Sequence, residues 1–440
     1  MVHDGCLDYH HPPTNGCLVR LKTILNNTEK YSSFVFGDAK FCNEYEKILL
    51  QENSIVIRVQ PRKNGKPICS GCGIKGARCG HTPLRLFEHV PIYGHKVYYA
   101  YKMRRVDCTA CGVTVEKVPW VDGKKEVTKS FEWFLAEWAK DLSWKKTASK
   151  FGTSWDTVFR AVQMAVAWGL FQRDMSNIRA IGVDEISRQK GHKYTTVVYQ
   201  IDEDQKRLLW VGDKREEATL DAFFIWFGKE KTEKLEAICS DMWKPYLNVI
   251  KKRASKAIHV LDRFHIMSNM GKAIDKVRAG EARQMESDGY EPLLKKTRFL
   301  LLKRPENLSK KQEVKLADLV KYNLKSVRAY LLKEDFQNFW SYTSKVWAGK
   351  FLDRWCTRTM RSKIEPMKDI AKMLRRHRGL ILNWFEMKGT ISSGIVEGFN
   401  TKAKLTTRKA FGFRSYKVQR IALLHQLGDL PVPDSAHKYC

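Results

Sequence analysis

The chain has 440 residues, and its 79 Lys plus Arg exceed its 48 Asp plus Glu to give a formal net charge of +31. That length predicts two to four domains at roughly 100–200 residues each, and 43% hydrophobic with 11% aromatic residues excludes a disordered chain. Such an excess of positive charge attracts polyanions, of which nucleic acid is the usual intracellular one.

The opening Met-Val-His-Asp-Gly leads into no apolar stretch, so no secretory leader is expected. Residues 1–60 carry Pro12–Pro13 and a strand-like Ser54-Ile-Val-Ile-Arg-Val59, with no role assigned. Residues 61–118 are basic, with 11 Lys/Arg against 3 Asp/Glu, and hold Cys69-Ser-Gly-Cys72 and Cys108-Thr-Ala-Cys111. Between the pairs, alternating stretches such as His95-Lys-Val-Tyr-Tyr-Ala-Tyr101 predict strands. From Thr128 to about Phe171 the period lengthens: Phe131, Phe134, Leu135, Trp138 and Leu142 recur at helical spacings. The longest apolar runs, such as Ala161–Leu170, fall short of the roughly 20 residues of a membrane span.

Ile178–Val183, Tyr194–Tyr199 and Arg207–Val211 predict three consecutive strands with polar turns. A helix (about Glu216–Gly228), a strand (Leu235–Ser240), a helix (Lys244–Arg253) and a strand (Lys256–Leu261) follow. Residues 266–390 are helical and basic, with 28 Lys/Arg against 14 Asp/Glu, and a last helical region runs from Ser392-Ser393 to about Leu427. Trp340, Trp347 and Trp355, spaced by seven and eight, are expected on one helical face, most simply as core.

Three patterns carry chemistry. The eleven cysteines lack a regular extracellular framework, so metal ligation in a reducing cytoplasm is expected over disulfides. Cys69, Cys72, Cys108 and Cys111 can offer four thiolates to one structural Zn2+ if a small sheet closes the 36 positions from Cys72 to Cys108. Cys79 and His81 lie close enough to replace a ligand; four ordinary core cysteines are the plain alternative. Trp144–Arg160 fits a helix-turn-helix, with Ala148 at the close approach, Gly152 in the turn, Ser154 as cap and Val158 facing the core. Its second helix, about Trp155–Ala161, would place Trp155, Thr157 and Arg160 in a major groove. An ordinary helical hairpin has the same pattern.

The third pattern is acidic. Asp184 follows the first strand of the three, and Asp241 follows the fourth. Three antiparallel strands, then helix, strand, helix, strand, is the order of a ribonuclease H-like fold, in which those two strand ends are neighbours. Paired carboxylates there can hold two divalent cations for attack on a phosphodiester, and oxygen ligands favour Mg2+, with Mn2+ able to substitute. Glu397, near the start of a late helix, is the candidate third acid. Asp262 is the rival of Asp241.

With these residues in place the chain resembles a DDE transposase of bacterial insertion sequences, of the ISL-three family, over about residues 65–430. The resemblance rests on the two CxxC pairs, Gly182-Val-Asp-Glu185, Ser240-Asp-Met-Trp243, His259-Val-Leu-Asp-Arg-Phe-His265 and Val396-Glu-Gly-Phe-Asn400. It implies an α+β multidomain protein: a zinc-binding module (61–118), a helix-turn-helix (119–172), and a ribonuclease H-like mixed-sheet core. The core's parts (173–265 and 391–430) are split by an all-helical insertion (266–390), and a tail (431–440) follows. The 156 positions between Asp241 and Glu397 suit such an insertion. The resemblance implies Asp184, Asp241 and Glu397 as a Mg2+-holding triad. It also implies an Asp262-Arg-Phe-His265 element in which His265 assists at the scissile phosphate and Arg263 contacts the backbone. Lys402, Lys404, Arg408 and Lys409 lie on the continuation of the Glu397 helix, where a DNA backbone would pass.

The expected activity is binding of terminal inverted repeats in double-stranded DNA, Mg2+-dependent strand cleavage, and strand transfer to target DNA. A homo-oligomer of at least two protomers in a synaptic complex, acting in the bacterial cytoplasm on the nucleoid, is implied with it. A non-catalytic DNA-binding protein, as a repressor or a domesticated transposase, and a structure-specific nuclease are the alternatives. The acid triad argues against the first.

Overall fold

The computed structural model describes residues 45–434 except 52–53, 62–63, 93, 190–192, 291–292, 304 and 388–392. Pro12–Pro13 lies outside the described residues. The chain forms two compact units, one of residues up to Arg173 joined by Leu430 onward, the other Asp174–Asp429.

The first unit holds a five-stranded sheet: β1 (Tyr45–Gln51), β2 (Ser54–Val59), β3 (Ala77–Ile92), β4 (His95–Cys108) and β5 (Gly112–Val115). Its order is β1-β2-β4-β3, with β5 on β4, so the strand expected at Ser54–Val59 shares a sheet with the cysteine-bearing segment. Ile55, Ile57 and Val59 alternate inward against Phe87, Val97, Tyr99 and Tyr101, each such side chain contributing about 1.5–3 kcal/mol by burial. Trp120 closes this core edge-on to Tyr101, 5.4 Å between ring centres. Three helices follow: α1 (Lys129–Asp141), α2 (Trp144–Lys150) and α3 (Trp155–Gln172). Thr128, Ser143 and Ser154 cap them, each accepting a backbone N–H three residues on. Gly152 takes φ +59° between α2 and α3, a left-handed turn suited to glycine. α3 buries Val158, Ala161, Val162, Ala165 and Val166, and Leu430 closes on its Gly169, where an added Cβ would meet Leu430 Cβ at 2.7 Å.

The second unit is built on β6 (Ala180–Gln189), β7 (Lys193–Ile201), β8 (Lys206–Asp213), β9 (Ala237–Ser240) and β10 (Ile258–Leu261), in the order β10-β9-β6-β7-β8. β6, β7 and β8 are antiparallel, while β9 and β10 run parallel to β6. α4 (Glu217–Phe227), α5 (Lys229–Glu233) and α6 (Lys244–Arg253) supply the crossovers. The sequence predicts that the first strand stops at Val183. β6 instead runs on to Gln189, because β7 pairs with it past that point (Asp184 opposite Val197, Glu185 opposite Thr196). Asp184 therefore sits inside the strand.

The long α7 (Arg263–Ser287) leaves β10 directly, and α8 (Arg298–Leu302), α9 (Lys310–Val320), α10 (Lys325–Gln337), α11 (Lys345–Arg361), α12 (Glu365–Arg376) and α13 (Arg378–Leu382) pack with it. Their own core joins Ile266, Met270 and Ile274 to Phe336, Phe339, Trp355 and Leu374. The three tryptophans do not share one helical face. Trp340 lies in a 3-10 turn that ends at Ser341, before α11 begins. Residues eight apart on one helix are turned by about 80°, so Trp355 is buried while Trp347 is 57% exposed beneath Lys350.

α14 (Ser393–Lys409) and α15 (Tyr416–Leu427) return to the sheet, parted by a turn at Phe411 and Gly412 with positive φ. The sheet is covered on both faces, and β7 accordingly reads as a nearly unbroken buried run. Leu220, Phe223, Tyr246 and Ile250 of α4 and α6 pack on Ile181, Val183 and Val198. On the other face Phe399 of α14 stacks on Tyr199 at 4.9 Å, and Gln419 of α15 accepts from Thr195 at 2.8 Å.

Candidate active site and metal centre

Register brings the acids together. Gly182 on β6 and Val260 on β10 both lie opposite Cys239 on β9. Two residues further along each chain, on the same face by the period of a strand, stand Asp184, Asp262 and Asp241. All three are buried, with 7%, 5% and 8% of their surface exposed. Each has one oxygen tied to the chain: Asp184 Oδ1 accepts from Glu185 N at 2.7 Å, Asp241 Oδ1 from Trp243 N at 2.9 Å, and Asp262 Oδ1 from Phe264 N at 2.8 Å.

α14 meets this row. Val396 presses so closely on Gly182 that a Cβ there would lie 2.5 Å from Val396 Cγ2. One turn on, Asn400 Nδ2 donates to Asp184 Oδ2, while Tyr199 Oη donates to Asn400 Oδ1 at 3.1 Å. Glu397, three residues before Asn400 on the same helix, is exposed. Its charge is among those felt by Asp262.

Two cations serve the acids. Arg215 pairs with Glu185 Oε1 at 2.9 Å and Asp241 Oδ2 at 3.1 Å, its guanidinium 4.4 Å over the Trp243 ring. His265 Nε2 lies 3.8 Å from both Asp184 Oδ1 and Asp262 Oδ2. Burial, with the charge of Asp241 next, lifts Glu185 to about 7. Burial likewise lifts Asp262 to about 6 and raises Asp241. For His265 burial opposes the charged form, but the close approach and charge of Asp184, with Asp262 and Asp241, outweigh it and raise the imidazole to about 9. In the metal-free site the surrounding carboxylates thus favour the charged imidazole. An all-oxygen acidic set of this kind suits a hard divalent ion.

The cysteines form a separate centre. The Sγ atoms of Cys69, Cys72, Cys108 and Cys111 lie within 4.8 Å of one another, and among the described residues no other His, Cys, Asp or Glu set is gathered so closely. Each pair is followed by a glycine of positive φ, Gly73 at +76° and Gly112 at +71°, which curls the chain around the sulfurs. Gly71 N donates to Cys69 Sγ at 3.3 Å. Zn–S bonds of about 2.3 Å put sulfurs roughly 3.8 Å apart in a tetrahedron, and Cys72 Sγ is 3.4 Å from Cys108 Sγ. The donor set fits Zn2+. Cys79 and His81 stand outside it.

The remaining candidates lie on α3, α7 and α14. Trp155 (41% exposed) and Arg160 lie on the open side of α3, whereas Thr157 is half-buried and bonds the Ser154 cap. Arg263 lies over the Trp340 ring at 5.0 Å. Lys402, Lys404 and Arg408 are exposed along α14, and Lys409 donates to Gln426.

Three neighbours of the acids were not singled out by the sequence. Glu185 and Asn400 stood inside the quoted motifs, where an acid beside an acid and an amide one turn from Glu397 were the available signals. Arg215 gave none; only the fold sets the β8–α4 loop on Asp241.

A family model described as a transposase, that of the ISL-three group of DDE transposases, matches residues 181–423. The chain belongs to this family. It is 30% identical over 412 residues to the transposase for insertion sequence element IS1557 of Mycobacterium tuberculosis, covering 88% of this chain and 91% of that protein. It is 27% identical over 350 residues to the transposase for insertion sequence element IS1001 of Bordetella parapertussis, covering 79% and 85%. Membership makes the chain a transposase, a class of enzyme that cuts and transfers DNA with divalent metal. Among the described residues no helix is long and apolar enough to cross a membrane.

Proposed function

We propose that this transposase binds the terminal inverted repeats of its own insertion sequence, cuts at their ends and joins the freed 3′-hydroxyls to target DNA through Asp184, Asp241 and Glu397. The carrying observation is that Asp184 on β6 and Asp241 just past the end of β9 each stand two residues beyond the paired Gly182 and Cys239, with the Glu397 helix seated on Gly182. The strand order β10-β9-β6-β7-β8 supports a ribonuclease H-like core, interrupted by the helices of residues 266–390. In the proposed site Asp184, Asp241 and Glu397 would hold two Mg2+, or Mn2+ in their place, and the ions would supply activation of the attacking oxygen and stabilisation of the leaving one. Asn400 fixes the Asp184 carboxylate, Arg215 fixes Asp241, and His265, beside Asp184 and Asp262, would assist at the scissile phosphate.

The four-cysteine centre with Zn2+ would stiffen the basic N-terminal module. α2 and α3, with their Gly152 turn and Ser154 cap, support a helix-turn-helix whose Trp155, Thr157 and Arg160 face the major groove. Lys402, Lys404, Arg408, Lys409 and Arg263 would follow the phosphate backbone at the core. Pairing two ends needs at least two protomers, acting in the bacterial cytoplasm on nucleoid DNA.

Labelled element ends, Mg2+ and a supercoiled target test the reading. Joined product supports it, cleavage alone makes the protein a nuclease, and neither makes it a binding protein. Asp184→Asn, Asp241→Asn and Glu397→Gln should each abolish cleavage while end binding persists. Normal cleavage by Asp241→Asn, with none by Asp262→Asn, would move the second metal position to Asp262.

A further inference from the structure

A groove of about 1230 Å3 opens in the N-terminal unit, between the chain leaving β2, the loop carrying Cys69 and Cys72, and strands β3 and β4. Arg58, Lys66, Lys75, Arg78 and Lys102 line it against one acid, Asp107. All five cations are exposed, and among the described residues no carboxylate pairs with any of them. A solvated charged face is the ordinary fate of such residues, but these are gathered in a concavity and held on fixed backbone. Arg104, buried and paired with Glu116 at 2.6 Å, also donates to the Gly65 carbonyl and so pins the segment bearing Lys66. Gly76 lies against β4 so tightly that a Cβ would meet Val106 Cγ1 at 2.6 Å, which fixes the segment bearing Lys75 and Arg78.

Five like charges facing one space repel each other and call for a polyanion. Small-molecule pockets run to roughly 300–1,000 Å3, and this groove is larger. Ile74 and Leu84, 56% and 51% exposed, add apolar contacts on its wall, suited to sugar faces. We propose that the groove seats a stretch of DNA sugar–phosphate backbone, setting the register of the bound duplex without reading its bases. The proposal rests on the transposase reading above, and the cysteine centre acquires a second task in it, since its loop forms one wall.

The test uses the full-length, zinc-loaded protein, a duplex ending in the terminal repeat and an unrelated duplex of equal length, with affinity followed against salt. Arg58→Gln/Lys75→Gln/Arg78→Gln/Lys102→Gln should bind both duplexes at least tenfold more weakly. The plot of log affinity against log salt should be shallower by about 3.6, four contacts at about 0.9 each, with the preference between duplexes unchanged. Wild-type affinity and slope in the variant overturn the groove. If the wild-type protein shows no preference for the terminal repeat, the transposase reading fails, while the groove still stands or falls on the slope measured with the unrelated duplex. Should the variant lose zinc, acetylation footprinting of the wild-type protein decides. DNA should protect Lys66, Lys75 and Lys102 but not Lys124; protection by polyglutamate and not by DNA would overturn the proposal.

Discussion

Gly182 has a side-chain reason to be glycine. A methyl group there would meet Val396 Cγ2 at 2.5 Å, and the helix it would push away carries both Asn400 and Glu397. Gly182→Ala should cost about 1–3 kcal/mol by overpacking, read by denaturant unfolding, and should reduce cleavage more than end binding. Unchanged cleavage would mean that the seat of α14 does not govern the acids. His265 gives a pH signature in the metal-free protein. There its folded value is raised from 6.5 to about 9, so the stabilisation it contributes is complete below its unfolded value and disappears as pH rises through about 9. In metal-free protein the melting advantage of wild type over His265→Gln should therefore shrink from pH about 6 to pH about 10; a constant difference would rule out the Asp184–His265 contact as its source. At this scale the acids were legible because they ended predicted strands. Arg215 was not, since a lone arginine in a polar turn looks like any other until the fold places it.

The elements were easier to read than their ends. Alternation and helical spacing predicted β2, β7 to β10, α1 to α4 and α6. The end of β6 was misplaced, because pairing with β7 and not local composition decides how far a strand continues through Asp184 and Glu185. The tryptophan pattern failed for a related reason: spacing alone does not see the break between Ser341 and Lys345. The CxxC pairs were legible since the chemistry lies in the spacing itself, though their approach depended on β4 and β5 forming a hairpin from Cys108 to Gly112. Cys72→Ser and Cys108→Ser should each release zinc, measured by metal analysis after gel filtration, and weaken end binding. Retained zinc in both would remove the metal from this module.

At the scale of the molecule, the chain leaves the N-terminal unit at Arg173 and rejoins it at Leu430. The return is anchored, with Leu430 Cβ and the Pro431 carbonyl against Gly169 of α3. The N-terminal unit expressed alone (residues up to Arg173) should unfold at lower temperature than the same unit fused to Leu430 onward, followed by its tryptophan signal. Equal midpoints would show the segment to be dispensable. The two ends of the second unit both answer to one side chain: buried Arg207 donates to the Asp174 carbonyl at 2.6 Å and feels the charge of Asp429. One in-frame deletion fusing position 173 to 430 would strip out every catalytic candidate at a stroke and leave the cysteine centre, α2, α3 and the basic groove. On the function proposed above, such a remnant would compete for the same termini without cutting them.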